Sequence, residues 1–388
     1  MFKGKLLLLI ILNFAAIAGL ASKPIKVGAE QLELYMKYIH NKRVGIVMNH
    51  TAQINNRFLL DTLLEKGVNV LTVFAPEHGF RGDLDAGEHV DSYTDKESGI
   101  KVVSLYGKNL KPSKEAMANI DILLFDIQDV GVRFYTYLST LNNVMESCGK
   151  YNIPLIILDR PNPNGAHIDG PVLDTAKYKS FVGMNPIPIL HGMTLGELGT
   201  MINEEGWLPN RVRCALKVIP CANYSHKMEY KLPIKPSPNL PNMRSIFLYP
   251  SLCLFEGTIV SVGRGTDSQF QIYGYPTYPS LDFQFTPSSK EGAKRPPYLG
   301  VLCQGKDLRD ISISNLMKVG LDLTYLIDAY SNYKNKGDFF NPFFEKLVGS
   351  DELRKQIEAG WTVRQIQKSW EVDLDRFKQL RSRYLLYK

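Results

Sequence analysis

The sequence predicts an α/β protein: a parallel sheet covered by helices in the first half, then a smaller α+β domain. Short, continuous apolar runs alternate with helix-length segments in the first half, which is typical of a parallel sheet buried on both faces. With 388 residues, 44% of them hydrophobic, the chain is long enough for two domains. Polar and charged residues follow almost every apolar run, which points to a functional site at one edge of the sheet.

The elements of the first half follow in order. Apolar residues at helical spacing predict a first helix at 29–40, and the run RVGIVM predicts a buried strand at 43–48. Gly67 ends the next predicted helix, which covers 58–66. Further strands are predicted at 68–74, 102–105, 120–127 and 155–158, with a helix at about 134–150 between the last two.

Five segments lie at the carboxyl ends of these predicted strands, and each carries polar side chains. In an open parallel sheet such ends share one edge, where ligands bind. The alternative is that each segment is an ordinary cap or turn, but five along one edge favour a polar pocket. The segments are 49–51, 76–82, 106–107, 126–133 and 159–165.

The second half gives fewer signals. Thr194 and Glu197 have the spacing of a helix capping box, which leaves His191 free to face a cleft. A Pro-rich loop at 236–241, strands at 252–254 and 258–262, and helices from Asn315 onward predict an α+β domain. We therefore expect domains at 22–225 and 226–388.

The N-terminus predicts export. Lys3 and Lys5 precede an apolar run at 6–20 that ends in small residues, the pattern of a signal peptide at 1–21. An uncleaved anchor is the alternative, but the run is shorter than the roughly 20 residues of a spanning helix. We expect a protein in the periplasm or outside the cell, with no stable membrane anchor after cleavage.

Charge and motifs exclude several function classes. The net charge is +7, a mild excess that suits an anionic polymer without identifying one, and no basic tract interleaved with aromatics suggests nucleic acid. No GxGxxG, GxxxxGK[ST], GxSxG or HExxH motif is present, so we expect no nucleotide cofactor, serine nucleophile or metal. Of the five scattered cysteines, Cys214 and Cys221 are candidates for one disulfide, although free thiols are equally compatible with the sequence.

Carboxylates and arginines remain as the candidates for chemistry. Glu77 follows an apolar strand, and a carboxyl group partly removed from water suits a general acid. Glycoside hydrolysis needs such an acid and a second carboxylate, or a substrate acetamido group in its place. Asp126 and Asp129 on a neighbouring strand end, and Glu88 in the loop after Glu77, are nearby acids. The alternatives are a salt bridge from Glu77 to Arg81, and helix capping by the two aspartates.

Arginines near the same edge predict an anion site. Arg133 lies directly behind Gly131 at a helix start, where backbone donors and a guanidinium group converge on one anion. Arg160 and Arg264 are the alternates. A substrate that carries a carboxylate would explain all three.

The motifs now show a resemblance. The blocks below resemble those of the exo-β-N-acetylmuramidase (NamZ-like) family over nearly the whole chain after the predicted signal peptide, and the two blocks DIQDVGVRFYTY and DRPNPNG are long and specific. The blocks are PEHGFRG (76–82), AGE (86–88), SLYG (104–107), DIQDVGVRFYTY (126–137), DRPNPNG (159–165), SFVG (180–183), HGMTLGEL (191–198), PSPNLP (236–241), EGT (256–258), GRGT (263–266) and RYLLY (383–387).

The resemblance implies a fold, an activity and a site. It implies a Rossmann-like domain with an auxiliary domain, a substrate cleft between them, and release of N-acetylmuramic acid from non-reducing ends of peptidoglycan glycan. We assign the acid/base role to Glu77 and the second carboxylate to Asp126. A non-catalytic receptor for muropeptides is the alternative, and a wall amidase or esterase ranks below both. Residues expected to bind substrate are His78, Arg81, Glu88, Gln128, Asp129, Arg133, Tyr135, Arg160, Asn162, His191, Glu256 and Arg264.

Overall fold

The protein is described by a computed structural model that covers residues 23–81, 92–280 and 282–387. The predicted signal peptide lies outside these residues. The strands of the first half are β1 (Arg43–Met48), β2 (Gln53–Ile54), β3 (Arg57–Phe58), β4 (Asn69–Ala75), β5 (Tyr93–Thr94), β6 (Lys101–Ser104), β7 (Ile122–Asp126), β8 (Leu155–Leu158) and β9 (Leu216–Ile219). The helices of the first half are α1 (Leu32–Ile39), α2 (Leu59–Glu65), α3 (Lys114–Met117), α4 (Tyr137–Tyr151) and α5 (Leu195–Glu204), with short 3-10 helices at Gly28–Glu30 and Pro209–Arg211.

Seven of these strands form one sheet in the order β5-β6-β4-β1-β7-β8-β9. Only β5 pairs antiparallel within it. From β1 the chain builds outward through β4 and β6, then returns to β7 and continues to β9, which is the strand order of a Rossmann fold. The predicted parallel α/β sheet is thus confirmed, and the order reverses between β1 and β7.

The central strand shows why the sheet is buried on both faces. Val44, Ile46 and Met48 belong to one hydrophobic core, and Val47 belongs to the other, as the alternation of side chains along a strand requires. A Cβ atom at Gly45 would lie 2.6 Å from Leu123 Cδ1. Glycine at this position therefore allows the neighbouring strand to pack closely.

The second half is a smaller domain of helices around a three-stranded antiparallel sheet. Its sheet order is β10-β12-β11. The strands are β10 (Ile272–Tyr275), β11 (Gln284–Phe285) and β12 (Cys303–Asp307). The helices are α6 (Met243–Leu252), α7 (Ile313–Val319), α8 (Thr324–Asn332), α9 (Phe343–Val348), α10 (Glu352–Glu358), α11 (Val363–Ser369) and α12 (Glu371–Ser382), with 3-10 turns at Cys253–Gly257 and Lys336–Asp338.

Two strand predictions in this half are wrong. Residues 252–254 end α6 and begin the 3-10 turn Cys253–Gly257, because a short apolar run fits a buried helix as well as a strand. Residues 258–262 form only isolated bridges, to Phe340 and to Gly274. The capping box of Thr194 and Glu197 is confirmed at the start of α5.

The C-terminal tail fastens the second domain to the first. The Tyr387 hydroxyl donates to Asp159 Oδ2 (2.6 Å), and Glu197 Oε1 accepts from the Leu386 amide (2.8 Å) and from His226 Nε2 (3.0 Å). All these side chains except that of Leu386 are buried.

Across the described ranges, no helix is long and apolar enough to cross a membrane.

Candidate active site

A pocket of about 300 Å³, here called the inner pocket, lies between the two domains and contains Glu77. Segments from four of the recognised blocks in the first domain, together with the Pro-rich loop, meet residues of α6, α9 and the turns that follow α6. Its lining is Glu77, His78, Tyr106, Phe134, Tyr135, Thr136, Tyr137, Phe181, Val182, Ser237, Asn239, Leu240, Tyr249, Cys253, Glu256, Arg264, Phe270, Phe343 and Leu347.

The turn after β4 places Glu77 in this pocket. His78 has a left-handed backbone, with φ of 70°, and Gly79 follows it in the same region. The Gly79 amide closes the turn on Pro76 O at 3.0 Å. A left-handed conformation is unfavourable for a residue other than glycine, and such residues cluster at functional sites. The tight turn leaves the half-buried Glu77 side chain at the pocket wall.

Hydroxyl groups surround the Glu77 carboxylate. Thr136 Oγ1 donates to Glu77 Oε2 at 2.7 Å, and the Tyr106 hydroxyl also interacts with this carboxylate. Burial and then the charge of Glu77 raise the pKa of both Tyr106 and Tyr137, so both phenols keep their protons. Asn49 Nδ2 donates to the Tyr137 hydroxyl at 2.9 Å, which fixes that ring. Glu77 is therefore held by donors on two sides.

A second carboxylate, Glu256, faces the pocket from the auxiliary domain. Arg264 Nε donates to Glu256 Oε1 at 2.6 Å, and the guanidinium group stacks over the Phe270 ring at 5.1 Å. Although burial opposes the charge, Glu256 raises the pKa of Arg264. No hydrogen bond joins the two Nη groups of Arg264 to any described residue.

Asp126 does not line this pocket, so the structure does not support its assignment as the second catalytic carboxylate. It is fully buried and forms a two-point ion pair with Arg160, at 2.5 Å from Nε and 2.9 Å from Nη2. Both oxygens are thus engaged by one guanidinium group. Arg160 is equally committed, which removes it as a free anion site.

The expectation that Arg133 binds a substrate carboxylate is also not supported. The residue as a whole is 1% exposed. Nη1 donates to the carbonyls of Pro171 and Ile187, and Nη2 donates to those of Leu347 and Val348, all within 2.6–2.8 Å. Burial lowers the pKa of Arg133 to about 9. Because two of these carbonyls belong to α9, Arg133 joins the domains instead of binding a ligand.

Other predicted residues form the polar framework of the sheet edge. Gln128 Nε2 donates to the carbonyls of Asp129 and Pro161, both at 2.8 Å. Asp129 Oδ2 accepts from the Gly131 amide at 2.6 Å, and burial raises the pKa of Asp129 to about 7. Asn162 Nδ2 donates to Met193 O at 2.9 Å. A Cβ atom at Gly131, where φ is 79°, would overlap Asn162 Oδ1, so this packing requires glycine.

The remaining candidates lie in different places. Arg81 pairs with Asp95 and Glu97 and stacks on Phe80, outside the lining of the inner pocket. His191 is fully buried, and burial lowers its pKa to about 3, so this imidazole is neutral. Glu88 lies outside the described residues. All five cysteines are free and buried, so the Cys214–Cys221 disulfide is not formed.

Several pocket residues were not singled out from the sequence. Tyr106, Thr136 and Tyr137 contact or face Glu77, while Ser237 and Asn239 come from the Pro-rich loop. All five lie in recognised blocks, so their membership of those blocks was the available signal. Tyr135, which is among the residues predicted from the sequence, lines the pocket and donates to Pro236 O at 3.0 Å.

No cluster of three or more potential metal ligands occurs within residues 23–81, 92–280 and 282–387.

Comparison with known proteins places this architecture in a family. The family models for the N-terminal and C-terminal parts of exo-β-N-acetylmuramidase NamZ match residues 44–244 and 247–387. The peptidoglycan β-N-acetylmuramidase NamZ of Bacillus subtilis (strain 168) is 38% identical over 373 residues, which cover 91% of this chain and 89% of that protein.

Two crystal structures of DUF1343 family proteins from Bacteroides fragilis NCTC 9343 share the fold. One is 50% identical with a TM-score of 0.88, and the other is 30% identical with a TM-score of 0.78. Each match covers 94% of this chain and 99% of the other. The chain therefore belongs to the exo-β-N-acetylmuramidase NamZ family.

Proposed function

We propose that this protein is an exo-acting glycoside hydrolase that releases N-acetylmuramic acid from the non-reducing ends of peptidoglycan fragments. The observation that carries the proposal is the inner pocket, in which Glu77 is surrounded by hydroxyl donors and faces a second carboxylate. The similarity to a peptidoglycan β-N-acetylmuramidase over most of both chains supports it. A pocket of about 300 Å³ has room for roughly one substituted sugar ring, which fits removal of one sugar at a time.

Glu77 is the proposed general acid. Protonation of the glycosidic oxygen as the bond breaks needs a carboxyl group within hydrogen-bond reach of that oxygen. Thr136 and Tyr106 fix the orientation of the Glu77 side chain at the wall of the pocket. Such preorganisation avoids reorienting the acid during the reaction.

Glu256 replaces Asp126 as the proposed second carboxylate. It is the only other acid among the described residues that line the inner pocket. Its ion pair with Arg264 holds it in place. A second carboxylate supports the positively charged transition state of glycoside hydrolysis, either directly or through a water molecule.

Arg264 is the proposed reader of the lactyl carboxylate, the group that distinguishes muramic acid from glucosamine. Arg133 and Arg160 are each engaged by buried partners, whereas the Nη groups of Arg264 have no partner among the described residues. A guanidinium group binds a carboxylate through two parallel hydrogen bonds. Arg264 can therefore hold Glu256 through Nε and a substrate carboxylate through Nη.

Export is proposed on the sequence of the N-terminus. The cationic start and the apolar run at 6–20 fit a cleaved signal peptide, and cell-wall glycan lies outside the cytoplasm. The test is the N-terminal sequence of the protein recovered from the producing cell. A first residue at or near position 22 supports export, and an intact Met1 in the cytoplasmic fraction contradicts it.

The activity is tested with two chromogenic glycosides that differ only in the lactyl ether. Purified protein is incubated with the β-glycosides of N-acetylmuramic acid and of N-acetylglucosamine, and dye release is followed. Rapid release from the muramic acid glycoside alone supports the proposal. Binding of that glycoside without any release would instead indicate a receptor.

A further inference from the structure

A second, larger cavity adjoins the inner pocket. This outer cavity has a volume of about 1020 Å³, and Glu256, Arg264 and Phe343 line both spaces. A hydrogen bond from Asn239 Nδ2, on the inner side, to Gly292 O, on the outer side, spans 2.7 Å. The two spaces are therefore neighbours, and the ion pair of Glu256 with Arg264 lies between them.

The position of Glu256 determines what must lie in each space. If Glu256 is one of the two reacting carboxylates, the scissile bond lies beside it and therefore at the junction of the cavities. The inner pocket holds the sugar that is released. The rest of the chain, beyond the glycosidic oxygen, must then extend into the outer cavity.

The walls of the outer cavity fit an anionic sugar chain. Pro296 and Tyr298 contribute apolar ring surface to its lining, and the Tyr298 hydroxyl donates to Ile259 O at 2.7 Å. Apolar ring surface of this kind can pack against the C–H groups of sugar rings. Lys294 and Arg295 supply positive charge at the exposed rim.

The charge balance of this cavity favours a carboxylate. Glu256 is the only acid among its described lining residues, and it is already paired with Arg264. Arg295 makes no ion pair with any residue in the described part of the chain. In peptide-free glycan every second sugar carries a lactyl carboxylate, so the next one lies two sugars beyond the scissile bond.

We propose that the outer cavity is the binding site for the departing glycan chain, and that Arg295 binds the lactyl carboxylate of the next muramic acid along it. This inference rests on the proposed function and adds a substrate preference: peptide-free chains of four sugars are better substrates than the disaccharide. A peptide stem amidates that lactyl carboxyl group and removes its charge, so chains with peptides lose the contact.

The test compares kcat/KM for the peptide-free tetrasaccharide and disaccharide, each with muramic acid at the non-reducing end. We expect the wild-type ratio to exceed one and Arg295→Ala to lower it about 5- to 30-fold, the scale of a partly exposed charge-assisted hydrogen bond. Arg295→Lys restores part of the preference. Arg364→Ala, an exposed arginine on α11 outside both cavities, leaves the ratio unchanged.

Two further measurements identify the group that is bound. A tetrasaccharide with its internal lactyl carboxyl group as the methyl ester should lose the preference in wild type, and added salt should reduce it for the free acid. An unchanged ratio in Arg295→Ala overturns the inference, as does an effect confined to peptide-bearing chains, which would place the peptide in the outer cavity. If the wild type does not cleave the disaccharide, the proposed function itself fails.

Discussion

The polar residues at the sheet edge and those of the inner pocket differ in how their charges are satisfied. At the sheet edge, Asp126 and Arg160 form a two-point ion pair, and both Nη groups of Arg133 donate to backbone carbonyls, which leaves only its buried Nε without a described partner. In the inner pocket, Glu77 accepts a hydrogen bond from the hydroxyl of Thr136, and the two Nη groups of Arg264 donate to no described residue.

This difference separates structural from functional charge. A buried ion pair whose hydrogen bonds are complete has nothing left to offer a ligand, and its role is to fix the geometry of the elements that carry it. A group with unused donors or acceptors beside a cavity retains the capacity to bind. We therefore expect substitutions at the sheet edge to change stability and substitutions in the pocket to change catalysis.

The largest expected effect is that of Glu77→Gln. The amide keeps the shape of the side chain but cannot donate the proton, so the rate of muramic acid release should fall about 10²- to 10⁴-fold. The melting temperature should remain near that of wild type, because a glutamine oxygen still accepts from Thr136. The measurement is kcat on the chromogenic muramic acid glycoside together with thermal unfolding.

Glu97→Gln is the matched control for that substitution. Glu97 is an exposed surface acid paired with Arg81, and its loss should leave the rate unchanged. A Glu77→Gln enzyme that retained half of the wild-type rate would remove Glu77 from the mechanism.

At the sheet edge, Asp126→Asn should destabilise the protein by about 3–5 kcal/mol, since it leaves the charge of Arg160 buried and unpaired. The measurement is the urea midpoint at pH 7. Asp121→Asn breaks an ion pair between the same residue types on the surface, with Arg43, and should lower the midpoint far less. Equal midpoint shifts for the two variants would contradict the distinction between buried and exposed pairs.

In the pocket, Arg264→Ala should reduce discrimination between muramic acid and glucosamine glycosides. Loss of a charge-assisted contact to the lactyl carboxylate costs about 2–5 kcal/mol, or roughly 30- to several-thousand-fold in the ratio of the two kcat/KM values. Arg264→Lys keeps a positive charge and should restore part of that ratio. Arg133→Lys should instead lower the melting temperature and leave the ratio intact. If Arg133→Lys lowers the ratio of the two kcat/KM values and Arg264→Ala leaves it unchanged, Arg133 and not Arg264 reads the lactyl carboxylate.

The fold of the first domain could be predicted because its signals are local. Predominantly apolar strands such as β1 and β8 are short, continuous and bounded by polar turns, and each predicted strand of the sheet lies within about two residues of its observed position. Strand β9 is not predicted from the sequence, because Leu216–Ile219 carries a lysine and only its last residue is buried. The order of the strands depends on contacts between distant segments, which periodicity does not contain.

The site could be predicted only in part for the same reason. The end of β4 delivers Glu77 to the pocket, as the strand-end argument expected. The pairing of β7 with β8, however, aligns Phe125 with Ile157. As a result Asp126, the residue after Phe125, lies beside Arg160, which is three residues after Ile157. The two charges are paired with each other, and neither segment alone reveals this pairing. Glu256 and Arg264 lie across the cleft, so only the folded chain shows that they face Glu77.

The smallest predicted effect concerns Asp129. It tests whether this buried carboxyl group at the sheet edge makes the free energy of unfolding depend on pH. Burial raises the pKa of Asp129 to about 7, which opposes the lowering by the amides of Gly131 and Val130. Between about pH 4 and pH 7 the folded state therefore holds a proton that the unfolded state has released, so stability falls as pH rises through this window. From pH 5 to pH 7 the loss from this one group is about 2 kcal/mol.

Asp129→Asn should remove that dependence. An asparagine resembles the protonated acid, since its oxygen can still accept from the Gly131 amide. Its NH₂ group replaces Oδ1, an atom with no hydrogen-bond partner among the described residues. The measurement is the free energy of unfolding by urea at pH 5, 6 and 7 in wild type, in Asp129→Asn and in Asp373→Asn, a surface acid paired with Arg376. The curve for Asp129→Asn should be flatter than the other two. Three parallel curves would mean that Asp129 is ionised in the folded protein at pH 5, and that the sheet edge holds its charge without loss of stability.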